Sequence, residues 1–143
     1  MEDAQFRNID LDVRSRRSLV PLIEALGEWA RRPMPNDSRW IIVNTRGSAK
    51  GADGVARLLL KQIESLRGEA RRCWRDARRR VFDIGIQAGG TGSRAFEEVR
   101  LTADTMRRIA AVDAEVQITV YPPVPESEEA DYIPPRRKAS KRR

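Results

Sequence analysis

The sequence predicts an α+β fold of two layers: a sheet of about five strands, mixed or antiparallel, with helices on one face. Along residues 1–121, segments in which apolar and polar residues alternate recur between segments with apolar residues at helical spacing. Four of the five predicted strands have one polar face. Helices on both sides of the sheet are therefore excluded, and a single domain over residues 1–121 is expected.

The first half of this domain predicts a strand, a helix and a second strand. Residues 9–13 (IDLDV) alternate strictly, as a half-covered strand does. Ser18 then stands where a helix N-cap is expected. Four apolar residues follow it at helical spacing: Leu19, Leu22, Ile23 and Leu26. After a proline-rich loop, the β-branched run 40–43 (WIIV) predicts the second strand.

Two helices and a pair of strands are predicted next. Asp53 is a candidate cap for an amphipathic helix that reaches Leu66, and residues 69–80 predict another helix. Residues 81–87 alternate again, and residues 95–101 are expected to pair with them as a hairpin.

A helix and a strand close the domain. Thr102 is the expected N-cap of a helix over 103–112 that buries Met106 and Ile109. Residues 115–121 (EVQITVY) form the last strand, whose inward side chains are Val116, Ile118 and Val120. The predicted element order is β-α-β-α-α-β-β-α-β.

The net charge of +7 is unevenly distributed along the chain. Residues 1–121 carry +5, residues 122–135 carry −4 and residues 136–143 carry +6. Proline and like-charged runs cannot bury a core, so residues 122–143 are expected to be a disordered tail.

Composition argues against several classes of function. The chain has no His and one Cys, which excludes His-based catalysis, His-ligated metals, disulfides within the chain and Cys-cluster zinc sites. We expect no catalytic residues, no cofactor and no metal. No run of residues is apolar enough for a bilayer, and the start resembles no secretion signal, so a bacterial cytoplasmic location is expected.

The uncovered sheet face is the expected site for a protein partner. Asp10 and Asp12 lie on that face if the first strand turns its apolar residues inward. Trp40 joins Tyr121 there if Ile41 and Val43 point to the core, and Trp and Tyr are favoured binding anchors. The opposite phase, which buries Trp40 with Ile42, remains open.

A second expected surface is basic and would bind nucleic acid through phosphate contacts. Its candidate residues are Arg71, Arg75, Arg78 and Arg79 on one side of the predicted helix, and Arg136, Arg137, Lys138, Lys141, Arg142 and Arg143 in the tail. A solvated helix face is the simpler explanation of the first group, since Glu69 and Asp76 interrupt it. Cys73, between arginines, is either a packing residue or a thiol of lowered pKa.

Residues 101–121 (LTADTMRRIAAVDAEVQITVY) resemble the closing helix and strand of an uncharacterised bacterial family of small α+β domains. The order of the earlier strand and helix, and of the strand at Trp40, extends the resemblance to about residues 6–123. It implies a role in binding a partner or neutralising a toxin, and it supplies no catalytic residues. The glycine-rich segment after residue 88 and the basic tail are outside the pattern.

The sequence thus predicts a non-enzymatic binding protein of immunity-like or regulatory type. Its open sheet face would engage a protein partner or a second copy of the chain, and no membrane is involved. The alternative is a protein associated with nucleic acid through the tail and the arginine-rich helix.

Overall fold

The computed structural model describes residues 5–45, 49–89 and 98–123. Its elements, in chain order, are β1 (Gln5–Arg14), α1 (Val20–Leu26), a 3-10 turn (Gly27–Trp29), β2 (Ala30–Arg31), β3 (Trp40–Val43), α2 (Gly51–Glu64), α3 (Gly68–Asp76), β4 (Arg79–Gln87), α4 (Ala103–Ala111) and β5 (Glu115–Tyr121). The predicted α+β class, with a five-stranded mixed sheet, is confirmed.

The five strands lie in the order β2-β3-β1-β4-β5. All neighbours are antiparallel except β4 and β5, which run parallel and are joined through α4. The long strands β1 and β4 occupy the centre, and β2 and β5 are the edges.

One face of the sheet carries the core. Leu11 on β1 stands between Val43 on β3 and Phe82 on β4, so the alternating apolar residues of three strands form one surface. The apolar sides of the helices pack onto it, including Leu22, Leu59 and Trp74. Alternation with a period of two fixes which side chains point there, as the sequence predicted.

The predicted hairpin partner of β4 is not observed where the structure describes it. Residues 98–101 are irregular, whereas residues 90–97 lie outside the described part. The fifth strand of the sheet is instead β2, a two-residue strand that was not predicted. Because β2 precedes the predicted strand at residues 40–43, that strand is β3. β2 pairs with β3 through Ala30 and Arg31 alone and is too short to leave an alternating pattern.

The arginine-rich helix is shorter than predicted. It ends at Asp76, because Ala77 is extended, and the chain enters β4 at Arg79. The Arg80 guanidinium caps this helix end by donating to the carbonyl oxygens of Trp74 and Arg75, and the Trp74 carbonyl also accepts from the Ala77 N–H. The interpretation of residues 69–80 as one helix is wrong for its last four residues.

The N-terminus of α4 is tied to α2. Thr102 is the predicted N-cap, and its Oγ1 accepts from the Thr105 N–H at 3.2 Å. Asp53, predicted to cap its own helix, lies instead in the first turn of α2. Its carboxylate accepts from both the N–H and the Oγ1 of Thr102. Arg57 also pairs with Asp104, and Arg108 bonds Glu64 farther along, so polar contacts join the helices at several points.

The apolar side chains of β5 point to the predicted side of the sheet, but the helices do not bury them as predicted. Val116, Ile118 and Val120 stand beside Phe82, Ile84 and Ile86 on the helix side of the sheet. Even so, they are 43%, 61% and 61% exposed, since the helices lie over the central strands. Met106, expected to be buried by α4, is also exposed, while Ile109 is buried as predicted.

Candidate functional site

The open face, the sheet face opposite the helices, is organised around the buried carboxylate of Asp12. The Trp40 Nε1–H donates to its Oδ1 at 2.9 Å. The guanidinium groups of Arg14 and Arg79 both reach it, each with Nε at 3.3 Å. Arg14 also lies over the Trp40 ring, 4.3 Å from its centroid. One carboxylate thus holds two cations and one indole in place.

Polar contacts extend from this centre across the face. Arg79 donates to the Gln117 side chain on β5, and the Thr119 hydroxyl donates to Asp83 at 2.7 Å. Asp10 stands directly opposite Asp83 in the β1–β4 ladder. Asp10 accepts from the side chains of Asn8 and Asn44.

The open face therefore satisfies its own polar groups. In the described residues, no buried side-chain nitrogen or oxygen lacks a hydrogen-bond partner. The large exposed apolar side chains lie elsewhere: Met34, Met106, Val116, Ile118 and Val120. This face does not carry the exposed apolar patch that we would expect of a protein-binding surface.

Trp40 and Tyr121, the two predicted anchors, both lie on the open face but at opposite corners. Trp40 faces Arg14, which pairs with Arg79, whereas Tyr121 faces Gln87 at the other end of β4. Eight residues along a strand and three strand spacings separate them, a distance of about 30 Å. Asp12 contacts Trp40, Asp10 lies two residues away on β1, and Tyr121 is apart from all three.

The predicted arginine ridge is divided between two elements. Arg71 and Arg75 are exposed on α3, as expected. Arg78 follows that helix, with its N–H bonded to the Arg14 carbonyl, and Arg79 belongs to the Asp12 network on the open face. Arginine occurs in helices, strands and loops alike. The helical spacing therefore wrongly assigned Arg78 and Arg79 to the helix.

Arg78 and Arg79 lie at one end of the sheet, which we call the basic end. There β1 finishes at Arg14, β3 is preceded by Arg39, and β4 begins at Arg79. A cleft of about 510 Å³ opens at this end. Its lining residues are Arg14, Arg78, Arg79, Arg80, Asp113 and Glu115. The sequence did not predict it, because its residues come from β1, from β4 and the turn before it, and from β5 and the turn before it.

The tail leaves from the other end of the domain. β5 runs parallel to β4, so Tyr121 and Pro123 lie away from Arg79 by about 25 Å along the strands. The tail candidates Arg136, Arg137, Lys138, Lys141, Arg142 and Arg143 are outside the described residues. The arginines of α3 and the root of the tail do not form one continuous patch.

The outer edge of β5 is the feature that sequence reasoning missed. No strand pairs with that edge within residues 5–45, 49–89 and 98–123. Its central residues, VQITV, carry no charge and no proline, the devices that commonly protect an edge strand. The lack of charge is visible in the sequence of these five residues, but their alternation predicts that the apolar side chains are buried in the core.

Several titrating groups are shifted by their surroundings. Burial raises the pKa of the Cys73 thiol, which argues against the lowered value considered above. The bonds from Arg108 lower the pKa of Glu64. For Asp53 burial acts to raise the pKa, but hydrogen bonds from Thr102 and Thr105 outweigh it, and the pKa is lowered. All three groups stabilise or fill the helix layer, away from the open face.

Two further properties bear on the kind of site. The described residues contain no group of three or more His, Cys, Asp or Glu side chains placed to share a metal ion. No helix among them combines the length and apolar composition that crossing a bilayer requires.

Comparison of the chain with protein-family models, with curated proteins and with solved structures found no match in any of the three.

Proposed function

We propose that the protein is a non-enzymatic binding protein that makes its protein contact through the outer edge of β5. The observation that carries this proposal is the exposure of three β-branched side chains on a strand whose central residues, 116–120, carry no charge and whose outer edge is unpaired among the described residues. An edge strand offers a row of backbone N–H and C=O groups to another strand, and apolar side chains beside it add affinity.

A second copy of the chain is the partner that this strand fits best. If two β5 strands pair antiparallel about Ile118, Val116 faces Val120 of the other copy and Gln117 faces Thr119. Apolar side chains then meet on one side of the sheet and polar ones on the other. The two Glu115 residues lie at opposite ends of the pair, so no like charges face each other. Such self-complementarity is what a two-fold interface requires.

Other parts of this chain are poorer occupants of that edge. Residues 124–143 combine prolines with charged runs, and residues 90–97 (GTGSRAFE) contain two apolar side chains, which are adjacent. Neither segment has the three alternating apolar residues needed to match β5. In the paired form, two five-stranded sheets would become one continuous sheet, with the two open faces side by side. An immunity-like or regulatory role would then use this joint surface.

Sedimentation equilibrium of the full chain tests the proposal. We expect a dimer mass at micromolar concentration for the natural sequence. Ile118→Lys places a charge at the centre of the pairing and should give a monomer. Its matched control is Met34→Lys, which changes another exposed apolar residue, in the loop before β3, and should remain dimeric.

Circular dichroism shows whether each variant retains its fold. Two results would refute the proposal: a natural chain that is monomeric across the accessible concentration range, or a dimer that survives Ile118→Lys unchanged.

A further inference from the structure

We infer that the cleft at the basic end binds a phosphate group. The inference is independent of the association through β5, since the residues that carry it are Arg14, Arg78 and Arg79. Their side chains line one cleft although they come from two strands and the turn before β4.

The charge in the cleft is not balanced from within. Arg14 and Arg79 share the single carboxylate of Asp12, which leaves one positive charge of that trio uncompensated. Arg78 and Arg80 also line the cleft, together with Asp113 and Glu115, so the cleft residues and Asp12 carry a net charge of +1. The acidic pair keeps the positive region small, which favours a compact anionic group over an evenly charged surface.

The two arginines beside Asp12 are held in place before any ligand arrives. Arg14 is fixed by its two contacts to Asp12 and by its position over the Trp40 ring. Arg79 is fixed between Asp12 and Gln117. Ordering long side chains weakens binding, so a site whose arginines are already ordered avoids much of that loss.

These two guanidinium groups also retain donors for a ligand. Within the described part of the chain, Nη1 of Arg14 and Nη1 of Arg79 donate no hydrogen bond. Arg80 differs, because its Nε and Nη1 already donate to backbone carbonyls, so it contributes charge and capping. Planar guanidinium groups match phosphate oxygens in pairs of hydrogen bonds, and the net positive charge of the cleft favours an anionic ligand.

Trp40 provides a reporter inside the site. Its indole N–H bonds Asp12, and its ring lies beneath Arg14, so a ligand on Arg14 and Arg79 should alter its NMR signal. The full ¹⁵N-labelled chain is titrated with tripolyphosphate at low chloride concentration. We expect the Trp40 indole signal to shift and saturate, while the Trp29 indole signal remains in place. The basic tail is present in every sample, and Pro123, the last described residue before it, lies at the other end of the sheet from Trp40.

Substitutions assign the binding to the cleft. Arg79→Gln should weaken it about tenfold or more, as expected for the loss of a charge-assisted hydrogen bond. Arg78→Gln, which does not disturb the bonds to Asp12, should weaken it severalfold. Arg107→Gln, an equal change of charge at a 75% exposed side chain on α4, should leave the affinity within about twofold.

A parallel titration with a short single-stranded DNA distinguishes the source of the phosphate. Binding of tripolyphosphate alone would indicate a small phosphorylated ligand. Binding of DNA with the same dependence on Arg79 and Arg78 would indicate a nucleic-acid backbone. The inference would be overturned if neither ligand shifts the Trp40 signal at millimolar concentration. It would also be overturned if Arg79→Gln and Arg78→Gln titrate like the natural chain.

Discussion

Replacing Asp12 by alanine removes the carboxylate on which the open face depends. Asp12 is 1% exposed and accepts hydrogen bonds from Trp40, Arg14 and Arg79. Without it, two guanidinium groups repel each other beside the sheet and the buried end of the indole loses its acceptor. The substitution is therefore expected to destabilise the fold well beyond the loss of one hydrogen bond.

The loss in the free energy of unfolding depends on how exposed to solvent the two arginine partners of Asp12 are. Removal of one member of a fully buried ion pair costs about 3–5 kcal/mol. The side chains of Arg14 and Arg79 are 27% and 38% exposed, so they can partly rehydrate. The lower end of the range, about 3 kcal/mol, therefore applies. For a domain of this size, that lowers the midpoint of thermal unfolding by about 10 °C.

Urea unfolding followed by circular dichroism measures the effect. Asp12→Asn keeps an acceptor for Trp40 but loses the charge, so it should cost about half as much as alanine. Glu69→Ala is the control for an exposed carboxylate paired with arginine, and it should cost less than about 1 kcal/mol. If Asp12→Ala is no more destabilising than Glu69→Ala, the open face is not held together by this network.

Two further predictions concern the helix layer. Thr102→Ala removes the N-cap of α4 and one donor to Asp53, and should lower the free energy of unfolding by about 1–2 kcal/mol, measured in urea. The pKa values of Glu64 and Asp53 are lowered in the folded state, so the stability that they contribute is complete at neutral pH. It declines as the pH falls below the ordinary values of 4.5 and 3.8 toward the folded ones. Glu64→Gln should make the free energy of unfolding depend less steeply on pH in that range; an unchanged slope would contradict the role of Arg108.

Alternation along the strands predicted the fold class correctly. In β1, β4 and β5 one set of side chains is apolar and the other mainly polar, and the observed ladder preserves that division. The prediction succeeds because successive side chains of a pleated strand point to opposite faces of the sheet. Once one residue is assigned to a face, the faces of all the others follow. The open question about Trp40 was settled by register, which places it opposite Arg14 on the open face.

The errors arose where tertiary contacts decide the outcome. Arg79 and Arg80 fit a helical pattern, yet their contacts with Asp12 and with the carbonyls at the end of α3 place them in β4. Val116, Ile118 and Val120 were assigned the correct side of the sheet. How far the helix layer extends over that side depends on the docking of α4 against α2, which no pattern within β5 can report. The cleft and the exposure of β5 were therefore not predictable from local sequence, although the absence of charge in residues 116–120 is visible there.

Disulfide formation across the proposed two-fold axis tests the association through β5 most directly. In a Cys73→Ala background, Ile118→Cys brings two thiols face to face, and antiparallel neighbours lie within disulfide range. Val120→Cys faces Val116 of the other copy, and its own counterpart is four residues away, about 13 Å along the strand.

We therefore expect Ile118→Cys to form covalent dimers under mild oxidation. Val120→Cys alone should remain monomeric when denatured, and an equimolar mixture of Val116→Cys and Val120→Cys should crosslink. Equal crosslinking of all single variants, or none with Ile118→Cys, would contradict the pairing of β5 with itself.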